Sequence, residues 1–252
     1  QVPPYAYTQT ISTATSSRII NGTLPLYAQQ PSLIPETLTW ERSKTVNIGL
    51  DMAFLNNRLT TNIDLYQRNT EDMDTVGVIV PSVLGTSSPK GNYADLRTRG
   101  FEFSIEWKDR IEMVKPLDYS VRFVLSDSQA EVTRYNNPKG LIANTYYAGA
   151  KVGEIWGYTV EGLFQSEEEI ANHADQSYMK TSQGQKIWLP GDMKYKDLDD
   201  NNKINDGKKT IDDPGDMSVI GNTTPRWRYG INLSGNWNGF FLSAMIQGVG
   251  KR

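Results

Sequence analysis

The fold class is decided by the stretch Val46-Asn47-Ile48-Gly49-Leu50-Asp51-Met52-Ala53-Phe54, in which a large apolar side chain occupies every second position. A period of two places these side chains on one face of a β-strand. After Asn56-Asn57, residues 59–66 alternate in the same way. Two alternating runs separated by a short Asn-rich turn predict a β-hairpin.

The same alternation returns in residues 101–107, 117–125 and 229–237, and Asn238-Gly239 then leads into the apolar run 240–247. The alternating segments are long, since residues 97–107 alone span eleven positions. Strands of globular proteins average about 5–6 residues, whereas a membrane-spanning strand needs about 9–11.

The connections between these strands are unequal in length. Two are tight turns, whereas nearly a hundred residues separate Gln129 from Thr224. Short turns at one end and long loops at the other are typical of transmembrane β-barrels. We therefore predict an all-β fold, an antiparallel transmembrane β-barrel segment with one long outer loop. Alternation alone also fits a soluble β-sandwich, which remains the alternative.

Composition narrows the functional classes. The 252 residues include 26 basic and 29 acidic side chains, a net charge of −3 that gives no indication of a nucleic-acid partner. The chain has no Cys, which excludes disulfides, thiolate metal sites and a Cys nucleophile. His173 is the single His, which argues against a His-based zinc site and a Ser-His-Asp triad. We predict no catalytic residue.

The chain divides by pattern into four segments. We predict loop and short strands in residues 1–45, barrel strands in 46–135, a long extracellular loop in 136–224, and a barrel hairpin in 225–252. Within the loop, Ser166-Glu167-Glu168-Glu169 is a capping box that predicts a short helix to about Ala174. His173 would lie in its last turn, with a structural role.

Aromatic side chains in the long loop are candidate substrate contacts. Exposed aromatic rings on loops often bind sugars or peptides. The alternative is that they pack the small core of the loop itself. The five candidates are Trp156, Tyr158, Trp188, Tyr146 and Tyr147.

An acidic stretch in the same loop resembles the start of a Ca²⁺-binding loop. Asp197, Asp199 and Asn201 would supply oxygen ligands at positions 1, 3 and 5, and the Lys203 carbonyl would supply position 7. Asn205 and Asp206 complete the candidate metal ligands. Position 6 is Asn202 instead of Gly, and position 12 is Lys208 instead of Glu. A solvated acidic turn without a metal remains the alternative.

Several short motifs occur in order along the chain. Residues 38–51 contain LTWERS and NIGLD, residues 56–70 contain NNRLT and DLYQRNT, and residues 99–102 read RGFE. They are followed by VGEIWGY (152–158), GLFQ (162–165), PGDMKY (190–195), VIGN (219–222) and PRWRYG (225–230). Together these motifs resemble the SusC/RagA family of TonB-dependent outer-membrane transporters, with Arg99 in place of the family's usual Lys.

The resemblance implies a barrel of about 22 strands plugged by an N-terminal domain. It implies import of oligosaccharides or peptides through the outer membrane of a Gram-negative, Bacteroidetes-like bacterium. The implied partners are a SusD-like surface lipoprotein, TonB and outer-membrane lipid. The motifs match only the barrel of such a transporter. We therefore expect its plug and its last barrel strands to lie outside this sequence.

On this reading the two faces of the strands have different neighbours. Lipid would contact the apolar set Ile48, Leu50, Phe103, Ile105, Val121 and Leu233. The lumen would be lined by the polar set Asp51, Asp64, Glu102, Glu106, Arg122 and Asn232. The alternative function is a soluble or surface-anchored β-sandwich that binds glycans. A β-rich glycosidase is a third hypothesis, although no carboxylate pair is singled out by the sequence.

Overall fold

A computed structural model provides the architecture. It describes residues 8, 11–29, 31, 33–35, 38–77, 81, 83, 88–143, 145–180, 184 and 187–251. The elements in chain order are β1 (Thr13–Thr15), β2 (Leu26–Ala28), β3 (Arg42–Phe54), β4 (Leu59–Val76), β5 (Lys90–Ile111), β6 (Leu117–Arg134), β7 (Glu154–Tyr158), β8 (Val160–Leu163), α1 (Glu167–Asn172), β9 (Met193–Tyr195), β10 (Met217–Asn222), β11 (Arg226–Trp237) and β12 (Phe240–Lys251). Among these residues, no helix has the length and apolar character needed to cross a membrane.

Six long strands form the main sheet in the order β12-β11-β6-β5-β4-β3. Every neighbouring pair is antiparallel. The strands contain between 12 and 22 residues, so they exceed an ordinary globular strand as the alternation predicted. In the described part of the chain β3 and β12 are the two edges, and the sheet is open.

Left-handed residues make the predicted tight turns. Asn56 and Asn57 connect β3 to β4 with φ of 56° and 65°, and Asn238 and Gly239 connect β11 to β12 with φ of 46° and 86°. Asn and Gly adopt this region more readily than other residues, which explains their placement between long strands. Both predicted hairpins are confirmed.

The register aligns the predicted apolar set on one side of the main sheet, here called the apolar face. Ile63 on β4 pairs with Phe103 on β5, which pairs with Leu125 on β6. Directly paired residues point to the same side of a sheet. The members from the sequence prediction are Ile48, Leu50, Phe103, Ile105, Val121 and Leu233.

The apolar face has no second layer in the part of the chain that the structure describes. Ile48 is 69% exposed, Leu50 is 52% exposed and Leu242 is 75% exposed. A β-sandwich would bury these side chains against its other sheet. The remaining sheets have two strands each and do not form such a layer.

Among the described residues, most of the buried apolar side chains lie in the segment between β6 and β11. Ile142, Ala150, Phe164 and Ile204 are all at most 5% exposed. The backbone of this segment joins the end of β6, because the Val132 N–H donates to the Ala150 carbonyl at 2.9 Å. The long segment therefore folds around its own core and is anchored to the main sheet.

The predicted capping box begins α1. The Ser166 side chain accepts the Glu169 N–H, while the Glu169 carboxylate accepts the Gln165 N–H. The helix ends at Asn172, two residues before the predicted Ala174. His173 is the C-cap, with extended backbone at φ −88° and ψ 164°, so it lies outside the last turn where we expected it.

Candidate functional site

The side of the main sheet opposite the apolar face, here called the polar face, carries acidic, basic and hydroxyl side chains. Glu106 of β5 pairs with Arg122 of β6, and Arg122 pairs with Asn232 of β11. Ser120 and Ser234 share a hydrogen bond of 2.8 Å between their hydroxyls. The register places the whole predicted polar set here, namely Asp51, Asp64, Glu102, Glu106, Arg122 and Asn232.

A groove of about 540 Å³ opens on the polar face. Its lining includes Asp64 and Glu102 from neighbouring strands and Arg122 from β6. Charged groups of both signs need water or polar partners, because burying an isolated charge in an apolar medium is costly. This face can therefore contact water or a polar solute, while the apolar face requires a different neighbour.

Two of the predicted aromatic residues form a pair in the long segment. The rings of Tyr147 and Trp156 meet edge to face with centroids 6.4 Å apart. Both side chains donate to the Glu154 carboxylate, Trp156 at 3.0 Å. Burial, together with the hydrogen bond to Glu154, raises the pKa of Tyr147 to about 12. The pair is thus neutral and fixed at neutral pH.

Tyr195 joins two more of the predicted rings. Tyr158 lies 5.7 Å from it and Trp188 lies 6.2 Å from it, measured between centroids. The Trp188 indole also donates to the Gln176 carbonyl at 3.2 Å. Tyr195 was missed by the sequence reasoning, although it ends the PGDMKY motif (190–195).

Tyr146, the fifth predicted ring, belongs to a separate contact. It meets Tyr135 at 5.8 Å and is 43% exposed. The described residues therefore bring the five candidates into three separate ring groups. Tyr147, Trp156, Tyr158 and Trp188 are partly buried in the segment's own packing. Their role in binding a substrate stays a prediction.

The His173 ring packs against Phe164 and is hydrogen-bonded to the backbone of β9. The two ring centroids lie 5.3 Å apart, and the His173 Nε2 lies 2.8 Å from the Tyr195 carbonyl oxygen. A carbonyl oxygen can only accept, so Nε2 carries the proton in this contact. The ring ties the end of α1 to β9, which agrees with a structural role.

The predicted metal ligands fall into two groups. Asp197 and Asp199 converge with Asp216, and one carboxylate oxygen from each lies within 4.8 Å of the others. Asp216 lies 19 residues after Asp197 and immediately precedes β10. The loop spacing did not predict it, because residues 207–215 had to fold back before Asp216 reached the other two carboxylates.

The other predicted ligands make contacts of their own. The Asn201 side-chain oxygen accepts the Lys203 N–H at 2.8 Å, and the Asn205 side-chain oxygen accepts the Gly207 N–H at 2.8 Å. The Lys203 carbonyl accepts the Asn205 amide at 3.3 Å.

The side chain of Asp206 contacts other residues than Asp197, Asp199 and Asp216. It pairs with Lys209 at 2.6 Å and accepts the Tyr178 hydroxyl at 2.7 Å. Burial alone would raise the pKa of Asp206, but these two donors outweigh it and the pKa is lowered. Asp206 is therefore an ionised partner of Lys209 at neutral pH.

Comparison with known proteins places the chain in a family. The family model described as "TonB dependent receptor-like, beta-barrel" matches residues 3–252. The chain belongs to this family. The resemblance to SusC/RagA transporters is confirmed, and the main sheet is an open segment of a TonB-dependent receptor barrel.

Individual relatives agree with this assignment. TonB-dependent receptor P3 of Formosa agariphila is 25% identical over 224 residues, which cover 84% of this chain and 20% of that protein. TonB-dependent receptor SusC of Bacteroides thetaiotaomicron is 27% identical over 197 residues, which cover 68% of this chain and 20% of that protein. The chain thus spans about a fifth of the length of these curated relatives.

A solved structure of similar fold is the RagAB peptide importer in its "open-open" state. The TM-score is 0.66 at 16% sequence identity, and the match covers 96% of this chain and 24% of that chain. At this identity the likeness shows the fold alone. The predicted all-β, antiparallel barrel segment is confirmed, and the β-sandwich alternative is not.

One ion pair lies at the point where this TonB-dependent receptor barrel resumes after the long segment. Arg226, the first residue of β11, donates two hydrogen bonds to the carboxylate of Asp127 on β6. The Asp127 side chain is 8% exposed and that of Arg226 is 25% exposed. The pair joins the first residue of β11 to β6, next to Arg228 and Ser126, where the register of the two strands begins.

Proposed function

We propose that the chain forms barrel wall and substrate-facing outer loops of a TonB-dependent importer in the outer membrane of a Gram-negative, Bacteroidetes-like bacterium. The observation that carries the proposal is the two-sided main sheet, with an uncovered apolar face and a polar face of acidic, basic and hydroxyl side chains. Lipid would contact the apolar face, and the polar face would line the lumen. Family membership supports the same orientation.

The cargo would be a nutrient oligosaccharide or a peptide. The motif resemblance to SusC/RagA transporters supports these two classes. We expect a SusD-like surface lipoprotein to close over the long segment, and TonB to act through parts of the receptor beyond this chain. Import makes and breaks no bond in the cargo, so we expect no catalytic residue and no chemical change in the transported molecule.

Deletion of the full-length receptor gene should abolish growth of its host on one class of oligosaccharide or peptide supplied as the sole nutrient. The full-length gene should restore growth only in cells with an intact TonB system, because TonB supplies the energy for uptake. The measurement is growth on a panel of both nutrient classes, with receptor abundance in the outer-membrane fraction as the control.

Two results would contradict the proposal. Recovery of the receptor in the aqueous fraction without detergent would support a soluble glycan-binding protein. Restored growth in cells without TonB would exclude TonB-dependent import.

A further inference from the structure

Three carboxylates meet where the acidic stretch of the long segment passes the start of β10. Asp197, Asp199 and Asp216 each bring an oxygen within 4.8 Å of the others. Like charges at this spacing repel and need a compensating charge. No ion pair joins any of the three to a Lys or Arg side chain in the residues that the structure describes.

One oxygen of the partly buried Asp197 and the whole side chain of Asp216 are shielded from solvent in this cluster. The Asp197 Oδ1 atom is buried and has no hydrogen-bond partner. Asp216 is completely buried, and its carboxylate receives only the N–H groups of Leu198 and Asn205, each at 2.8 Å. Buried polar atoms are normally satisfied, so an unpaired carboxylate oxygen beside a buried carboxylate favours a cation as its partner.

The backbone around the cluster resembles that of a cation-binding loop at one position. Asn202, at the position where such loops favour Gly, has φ of 61°. Its N–H donates to Asp197 Oδ2 at 2.7 Å, which leaves Oδ1 as the free oxygen. A cation beside Oδ1 would thus be approached by Asp199 from the same loop and by Asp216 from the chain that enters β10.

We propose that Asp197, Asp199 and Asp216 bind one Ca²⁺ ion that joins the acidic stretch to the start of β10. The three side chains offer only oxygen, and the chain has no Cys and a single His, which disfavours zinc or copper. Ca²⁺ accepts irregular sets of six to eight oxygens, whereas Mg²⁺ demands near-octahedral geometry and retains its waters. The Ca²⁺ ion would order the segment that returns the chain to the barrel.

The test uses the full-length receptor, stripped with EDTA in detergent and titrated calorimetrically with CaCl₂ from about 10 µM to about 10 mM. We expect a saturable Ca²⁺-binding step that Asp199→Asn weakens roughly tenfold or more. Asp199 is exposed and its carboxylate accepts hydrogen bonds from neighbouring Asn201, so this variant should fold. Asp197→Asn is the second variant, and exposed Asp212→Asn is the matched control.

Hydrogen exchange of residues 197–216 gives an independent measurement. Ca²⁺ should slow exchange there in the wild type and in Asp212→Asn but not in Asp199→Asn. Identical Ca²⁺ affinity and stoichiometry in the wild type and both cluster variants would overturn the proposal. So would equal losses in Asp199→Asn and Asp212→Asn, or Mg²⁺ binding as tight as Ca²⁺ binding.

Discussion

Replacing Leu50 or Leu233 with arginine in the full-length receptor should lower its free energy of unfolding in a lipid bilayer by about 2–4 kcal/mol. Both residues lie on the apolar face, 52% and 39% exposed. Each precedes its turn by five residues, since Leu55 and Asn238 begin the two turns. Five residues at about 3.3 Å each, in a strand tilted by about 40°, place these side chains about 13 Å from the turn along the membrane normal. That depth is close to the middle of an apolar band about 25 Å tall.

The matched control is Asn232→Arg. Asn232 adjoins Leu233 on β11 but points to the polar face, so its depth is nearly the same and its proposed surroundings are aqueous. Arg122 lies directly opposite Asn232 and adds like-charge repulsion, so we expect a loss of no more than about 1 kcal/mol there. The measurement is denaturant unfolding in phospholipid vesicles, followed by tryptophan fluorescence. Equal costs at Leu233 and Asn232 would count against lipid contact on one face only.

Arg226→Ala should destabilise the full-length receptor by about 3 kcal/mol. The substitution leaves the Asp127 carboxylate almost completely buried without its cation, and Asp127 has only weaker backbone donors, such as the Trp227 N–H at 3.3 Å. Loss of a buried partner costs far more than loss of an exposed one, because the remaining charge stays desolvated. Equilibrium unfolding of the purified receptor measures the effect.

Arg110→Ala provides the comparison for Arg226→Ala. Arg110 also makes two hydrogen bonds to one carboxylate, that of Asp118, but these side chains are 55% and 48% exposed. Exposed ion pairs contribute about 0–1 kcal/mol, so we expect a small loss. A loss at Arg110 as large as that at Arg226 would mean that burial does not determine the effect.

The barrel strands could be predicted from sequence because their two faces have different neighbours. The alternation of apolar and polar residues at 46–54 follows directly from that difference. Asn56, Asn57 and Asn238 indicate turns because Asn adopts positive φ more readily than most residues. β3 nevertheless begins at Arg42, before the alternation starts, because Arg42 and Lys44 pair with acidic residues on β4 and not with an apolar layer.

The long segment could not be predicted to the same depth. Its contacts join residues distant in sequence, such as Asp197 with Asp216 or Trp188 with Tyr195, and no periodicity encodes them. The helix start was predictable from Ser166, which caps locally. Its end was not predictable, because His173 takes up extended backbone and its ring contacts Tyr195 on β9, a tertiary contact that the local sequence does not encode.

Spin-label accessibility along β3 tests most directly whether lipid contacts the apolar face. This chain has no Cys, so single cysteines at successive positions 46–54 of the full-length receptor, with any cysteines elsewhere replaced, can each carry a nitroxide in reconstituted vesicles. We predict that oxygen, which concentrates in lipid, relaxes labels at Val46, Ile48 and Leu50 most strongly. A water-soluble nickel chelate should instead relax labels at Asn47, Gly49 and Asp51. Accessibility without a period of two, or nickel access to both faces, would contradict this account.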